Sequence, residues 1–355
     1  MRLPVNSSSA ESSPTYFIAD IAANHDGSLD RALLLIDLAA EAGADAAKFQ
    51  NFRAETIVSD AGFFELGEKL SHQKKWKRSV FEVYKNAELP IEWTEALIER
   101  CRINNIDYFT APYDLDFIDY FSSKMPYFKV GSGDITWKQS LEKMASFGKP
   151  ILLATGASTL DEVKSAMKVF ENSGCAVILM QCNTNYTGNE DNFNYINLKV
   201  LENYRREFPN AVLGLSDHSQ GFIAVLGAVA LGARVIEKHF TDDTSRIGPD
   251  HEFSLNQVSW SEMVKSTRIL ERCLGDGVKR VENNELEARI VQRRGYRYSR
   301  DIQSDTQITE SDLIALRPCP EDGITPFELE GIMGRRIRNI VKRDQQVRIV
   351  DFVEE

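Results

Sequence analysis

The chain has 355 residues, 43% hydrophobic and 27% charged, with a formal net charge of -11 and a sequence pI near 5.2. That size and composition suit one large globular domain plus a small one, and the negative field disfavours nucleic acid or an anionic membrane as the main partner. Five scattered cysteines without a CxxC, no apolar run of 18 residues and no signal-peptide core predict a soluble cytoplasmic protein without a disulfide framework.

In chain order, residues 1–15 (MRLPVNSSSAESSPT) lack apolar periodicity and read as disordered. From 16 to 278, short apolar or β-branched runs alternate with segments of helical period, as in repeated βα units around a parallel sheet. The runs are 16–22, 45–50, 107–112, 127–133, 150–156, 176–182, 211–217 and 233–240. Eight runs are what a closed (β/α)8 TIM barrel needs, so the fold class is α/β. Between them, the helix from Leu33 to Ala42 stops at Gly43, Thr159 and Glu162 form a capping box, and an apolar helix at 222–231 stops at Gly232. Segment 52–90 is too long for an ordinary βα connection and predicts a lid carrying short helices. A charged linker at 279–293 then leads to a small β-rich domain at 294–355.

The carboxyl ends of barrel strands form the active face, and there almost every run turns polar. The first ends at Asp20, with Asn24 and His25 beyond. The second carries Lys48 and Gln50, the third Thr110, the fourth Lys129, Ser132 and Asp134, and the fifth Thr155. The sixth leads to Asn183, Thr184 and Tyr186, the seventh to Ser216, Asp217 and His218, and the eighth to Glu237, Lys238 and His239, with Asp250 and His251 after it. Strand alternation sends Glu237 and His239 one way and Lys238 the other. Buried charges survive only when paired or completed by ligands. Two lysines with hydroxyl groups can hold a phosphate and a carboxylate on one small molecule, while His218 and His239 with a carboxylate can bind a divalent metal that polarises a carbonyl. That set fits a phosphorylated enol acid meeting an aldehyde; spacing alone leaves aldolases and phosphosugar isomerases open.

The words ADIAANHDGSLDRA, AGADAAKFQ, FKVGSGDIT, GKPILLATGAS, LGLSDHSQG, ALGARVIEKHFTDD and GPDHEFSLN together resemble the sialic acid (N-acetylneuraminate) synthase family, in its spore-coat-polysaccharide-synthase-like branch. The tail, RRGYRYSRDIQSDTQITESDLIALRP and IMGRRIRNIVKRDQQV, resembles that family's antifreeze-protein-like (SAF) domain. The resemblance implies condensation of phosphoenolpyruvate with an open-chain N-acylated hexosamine, giving a nine-carbon 2-keto-3-deoxy acid and phosphate. It also implies Mn²⁺ or Mg²⁺, and a homodimer whose small domains swap to roof the partner's site.

Carried over by position, Lys48, Lys129, Ser132 and Ser216, helped by Thr110, would bind phosphoenolpyruvate, and Asn183 and Thr184, the latter in place of a common Asn, would belong to the substrate site. His218 and His239 would hold the metal. Gln50, Asp134, Tyr186 and Asp250 would contact the sugar, Arg317 would reach its N-acyl group from the partner, and Asp20 stands in the place of a catalytic Glu. Ala111 and Ala154 occupy positions where relatives often carry hydroxyls, which shifts the phosphate contacts toward Thr110, Thr155 and Asn183. His72 is a candidate lid residue, His25 a helix cap or pocket neighbour, and Glu237 and Lys238 have structural roles. The competing readings are another phosphoenolpyruvate-dependent 3-deoxy-keto-acid synthase and a non-catalytic sugar-binding relative.

Overall fold

The computed structural model describes residues 3–7, 10, 13–67, 73–74 and 76–354. His72 therefore lies outside the described residues, as does part of the segment expected to be disordered. Within that segment, Leu3 and Ala10 pack on the apolar layer of the first unit, and the Thr15 backbone N–H donates to Glu271. The chain divides into two compact units, residues 1–275 and 276–355.

The first unit is the eight-stranded barrel. Its strands are β1 (Tyr16–Asp20), β2 (Ala46–Asn51), β3 (Asp107–Pro112), β4 (Phe128–Val130), β5 (Ile151–Ala154), β6 (Val177–Cys182), β7 (Val212–Asp217) and β8 (Val235–His239). All paired neighbours are parallel, in the order β3-β2-β1-β8-β7-β6-β5-β4, and β3 lies against β4 without a paired ladder, leaving the ring nearly closed. Parallel strands buried on both faces must read as apolar runs, which is why the sequence advertises them. The helices between them follow equally local signals. Thr159 and Glu162 form the capping box of Leu160–Ser173, while Gly43 and Gly232 take positive φ just after Leu29–Glu41 and Ile223–Ala230. Positive φ at these stops is cheap only for glycine.

The long β2 connection holds helices Ala54–Ile57, Asp60–Glu65 and Val80–Ala87. The last is started by a Ser79–Glu82 capping box and tied down by Lys85, which meets Glu55 at 2.8 Å and Glu88 at 3.2 Å.

The second unit contains helix Leu286–Gln292 within the expected linker and an antiparallel pair, β9 (Gly295–Tyr298) and β10 (Leu313–Leu316). Its own small core gathers Tyr298, Ile302, Ile308, Ile337, Val347 and Phe352. No helix of the described residues is long and apolar enough to cross a membrane.

Register explains one buried charge pair that does not line the cavity at the carboxyl ends of the strands. Asp217 and Lys238 are register partners on β7 and β8, and Lys238 Nζ donates to Asp217 Oδ2 at 2.7 Å and to the Ser219 carbonyl. Both side chains are buried. Asp217→Ala, which strands the lysine, should cost ~3–5 kcal/mol in urea unfolding, whereas the apolar double replacement Asp217→Leu/Lys238→Met should recover most of that loss. Equal destabilisation by both variants would show that shape, not the unpaired charge, sets the cost.

Candidate active site

At the carboxyl ends of the strands lies a cavity of about 390 Å³. Eleven residues singled out from the sequence line it: Asp20, Lys48, Gln50, Lys129, Ser132, Asp134, Tyr186, Ser216, His218, His239 and Asp250. Other candidates do not. Thr110 is in register with Phe49, while Ala111 is in register with Gln50. Alternation therefore turns Thr110 to the opposite face, where its hydroxyl donates to Asn51 at 2.7 Å. Asn183 spends its side chain on the Tyr195 carbonyl and the Asn185 N–H, and Thr184 packs its methyl group against Gly156. Thr155 likewise donates to the Met180 carbonyl and accepts from Tyr204. Arg317 belongs to the second unit, just after β10. His25 is buried beside Trp93, accepts from the Gly27 N–H and does not line the cavity.

The floor of the site is set by register. Asp20 lies beside Lys48 on one side and His239 on the other, and Ser216 lies beside Glu237. Lys48 Nζ is 2.6 Å from Asp20 Oδ2, which also accepts from Gln50 at 3.2 Å. Glu237 is the residue that sequence reading undervalued. Its Oε1 accepts from Ser216 at 3.0 Å and stands 3.7 Å from Lys48 Nζ and 3.5 Å from Lys129 Nζ, so one carboxylate faces both lysines. Its Oε2 is buried with no partner among the described residues. Burial alone would discharge Lys48, but Asp20 and then Glu237 more than offset that and raise its pKa. Among the described residues Lys129 otherwise makes a single bond, to the Val130 carbonyl at 3.2 Å, which leaves ammonium protons for an anionic ligand.

The two histidines stand together, ring centroids 5.3 Å apart. His218 Nδ1 is 2.9 Å from the Asn183 carbonyl, which can only accept, so Nδ1 carries the proton and Nε2 keeps a lone pair. Burial, then His218 and Lys48, push His239 well below the ordinary imidazole range, and its Nδ1 is buried without a partner. Burial would lower the pKa of His218, but Cys182 beside it and the Asn183 carbonyl more than offset that and raise it. In the neutral form of His218 its Nε2, with the neighbouring His239 imidazole, fits a divalent cation. No group of three or more His, Cys, Asp or Glu gathers for a metal among the described residues, so water and substrate would fill the remaining positions.

The upper half is built by loops. Gly131 is required there, because a Cβ would lie 2.6 Å from the Tyr113 hydroxyl, and Tyr113 lines the cavity. Val83, Tyr84 and Ala87 of the lid helix face inward, with Tyr84 against Phe52 at 5.3 Å and Trp76 at 6.5 Å between ring centroids. None of these was named from the sequence, although Val80, Val83, Tyr84 and Ala87 form an apolar stripe at helical spacing that had to face something.

Burial raises Asp134 to about 6, with Lys129 pulling the other way. Asp250 also rises to about 6 through burial, although the Ala23 N–H holds it down and Asp20 adds repulsion. A carboxyl whose pKa rises on folding contributes stability at low pH that is lost as pH climbs through the folded value. Asp134→Asn and Asp250→Asn should therefore raise the melting temperature at pH 8, by ~2–4 °C per kcal/mol relieved. The gain should shrink as pH falls from about 6 toward about 4. A pH-independent gain in calorimetry would remove burial of charge as its cause.

The chain matches the NeuB family over residues 35–279 and the SAF domain over residues 293–353. It is 33% identical to the N,N'-diacetyllegionaminic acid synthase of Campylobacter jejuni, across 94% of this chain and 99% of that protein. It is 28% identical to the N-acetylneuraminate-9-phosphate synthase of Homo sapiens, across 94% and 91%. The crystal structure of the spore coat polysaccharide biosynthesis protein SpsE from Bacillus subtilis aligns with a TM-score of 0.62 at 31% identity, covering 97% of this chain and 96% of that one. Both the barrel with its polar strand ends and the small β-rich unit have their counterparts in these matches, and the chain belongs to the NeuB family, with a C-terminal SAF domain.

Proposed function

We propose that this protein is a nonulosonic acid synthase that condenses phosphoenolpyruvate with an open-chain N-acylated hexosamine, releasing phosphate by C–O cleavage. The observation that carries this reading is the buried lysine pair, Lys48 and Lys129, sharing the Glu237 carboxylate at the floor of the cavity. Such a pair offers two cations to a ligand that bears both a carboxylate and a phosphate.

In this reading Lys48, Lys129, Ser132 and Ser216 hold phosphoenolpyruvate, and Gln50, Asp134, Tyr186 and Asp250 orient the sugar so that its aldehyde faces C3 of the enol. A divalent cation, Mn²⁺ or Mg²⁺, held by His218 and His239 would supply polarisation of that aldehyde. After carbon–carbon bond formation, water adds at C2 and the tetrahedral adduct expels phosphate. Lys48 and Lys129 stabilise the negative charge that moves onto the leaving phosphate. Asp20, bonded to Lys48 and one hydrogen bond from Gln50, is the acid–base group nearest both halves of the site. Five free cysteines accord with a cytoplasmic setting.

Phosphate release from phosphoenolpyruvate with Mn²⁺, across a panel of N-acylated hexosamines, tests the reaction. His239→Ala should lose both turnover and calorimetric Mn²⁺ binding while keeping its circular dichroism spectrum. Silence with every sugar in folded, metal-loaded protein would sink the reading.

We also propose a domain-swapped homodimer in which Arg317 of the partner subunit completes the sugar site. In its support, a recess continues the cavity past Trp76, Tyr186 and Pro249 to Ile247, an apolar side chain left fully exposed in the single chain. Light scattering should give twice the chain mass, and Arg317→Ala should raise the acceptor KM by about 10-fold or more, the loss expected for a charge-assisted hydrogen bond, with KM for phosphoenolpyruvate little changed. A monomeric mass in active enzyme would exclude the swap.

A further inference from the structure

His218 and His239 would hold the cation in the synthase reading, and the chain supports the two rings differently. We infer, resting on that reading and its metal, that Phe253 is the positioning residue for His239. Its ring fixes the plane of that imidazole, a task that a hydrogen bond performs for His218.

A histidine that binds a metal through one ring nitrogen is normally oriented by a hydrogen bond from the other. His218 follows that rule, with Nδ1 2.9 Å from the Asn183 carbonyl. His239 does not. Its Nε2 stands on the cavity side, 3.6 Å from Asp20 Oδ2, while its Nδ1 is buried with no partner among the described residues. Packing is then what stops this ring from turning about its Cβ–Cγ bond.

Phe253 supplies that packing. Its ring meets His239 edge to face, with centroids 4.9 Å apart and planes at 69°. The same ring lies 6.0 Å from His218 and 5.6 Å from Tyr186, at the centre of the aromatic group around both imidazoles. Tyr186 is further from His239, at 6.4 Å, and rests on His218 at 4.3 Å instead. Phe253 is buried and does not line the cavity, so it acts through His239 rather than on a ligand.

A ring can orient its neighbour only if its own backbone is held. Beyond β8 the chain turns back until Leu255 lies beside Phe240. There the Leu255 N–H donates to the His239 carbonyl and the Thr241 N–H to the Leu255 carbonyl, each at 2.9 Å. Ser254 donates to the Asp250 carbonyl at 2.6 Å and accepts from Asn24 at 3.0 Å. His251, fully buried, sits between the Thr241 hydroxyl at 2.7 Å and Asp26 at 3.0 Å. The residues on both sides of Phe253 are therefore tied to the strand end that carries His239 and to the turn after β1.

The test reads metal binding rather than turnover. Full-length wild-type protein and the variants Phe253→Leu, Phe253→Met and Phe253→Tyr are titrated with Mn²⁺ alone. Electron paramagnetic resonance counts the free ion, and its pulsed form reads the nitrogen couplings of the bound one. Phe253→Leu and Phe253→Met, which lack a ring, should raise Kd for Mn²⁺ by about 10-fold and weaken one of the two imidazole couplings, with circular dichroism unchanged. Phe253→Tyr, which keeps the ring, should stay within about 3-fold of wild type. Should Phe253→Leu fail to fold, Phe253→Met carries the same prediction, because its flexible side chain refills the space without a ring. Unchanged Kd and couplings in the ring-free variants would overturn the inference and leave the synthase reading intact. An equal loss in all three variants would do the same, by making shape rather than the ring the cause. Wild-type protein that binds no Mn²⁺ would remove the metal from the synthase reading, and the inference with it.

Discussion

Everything at the mouth of this barrel depends on Glu237 facing two buried lysines. Asp20, Lys48, Lys129 and Glu237 are all nearly inaccessible, and an isolated charge in such a place costs several kcal/mol. Together they are neutral, two cations against two anions, and register fixes them without adjustment. Asp20 lies beside Lys48, and Ser216 beside Glu237, because the β1–β2 and β7–β8 ladders allow no other pairing on the inner face. The strands must close into a ring for β2, β4 and β8 to bring these groups together, so the charge set and the closed topology require each other.

A second buried pair shows what a purely structural arrangement looks like. Lys238 with Asp217 and the Ser219 carbonyl is compact and saturated. The inner cluster is not. Among the described residues, Glu237 Oε2 and His239 Nδ1 are buried and unpartnered, and Lys129 holds a single hydrogen bond. Incomplete satisfaction at a place of full burial is a standing cost to the fold, and it persists in proteins mainly where a ligand completes the set. The raised Asp134 and Asp250 carboxyls add to that cost at neutral pH.

The eight strands were legible because burial on both faces leaves continuous apolar runs, and the helix boundaries because caps and glycines act locally. Sides of strands were legible only in part. For β8 the sequence EKH gave the correct separation of Glu237 and His239 from Lys238 by parity, yet could not say what Glu237 would meet, since Lys48 and Lys129 arrive through topology. For β3 no anchor fixed which face was inner, and Thr110 proves to share the side of Phe49. Asn183 and Thr184 lie beyond the end of β6, where alternation no longer applies and loop hydrogen bonds decide. The lid was legible as a length; its aromatic wall depends on a helix whose inward stripe is plain only once there is a cavity for it to face.

These differences divide the site into two kinds of construction. The floor consists of strand residues locked into ladders, where a shift of one position would invert every side chain. The upper half comes from the GSGD turn, the lid helix and the loop after β8, which carry Asp134, Tyr84 and Asp250. Loops can change length and residue without disturbing the ring beneath them. A fold built this way can keep one floor while the lining above it changes. In the proposed reaction the acceptor would then be set by side chains such as Tyr84 and Asp134 rather than by the lysines and histidines, so that its chemistry would have to be read from the loops.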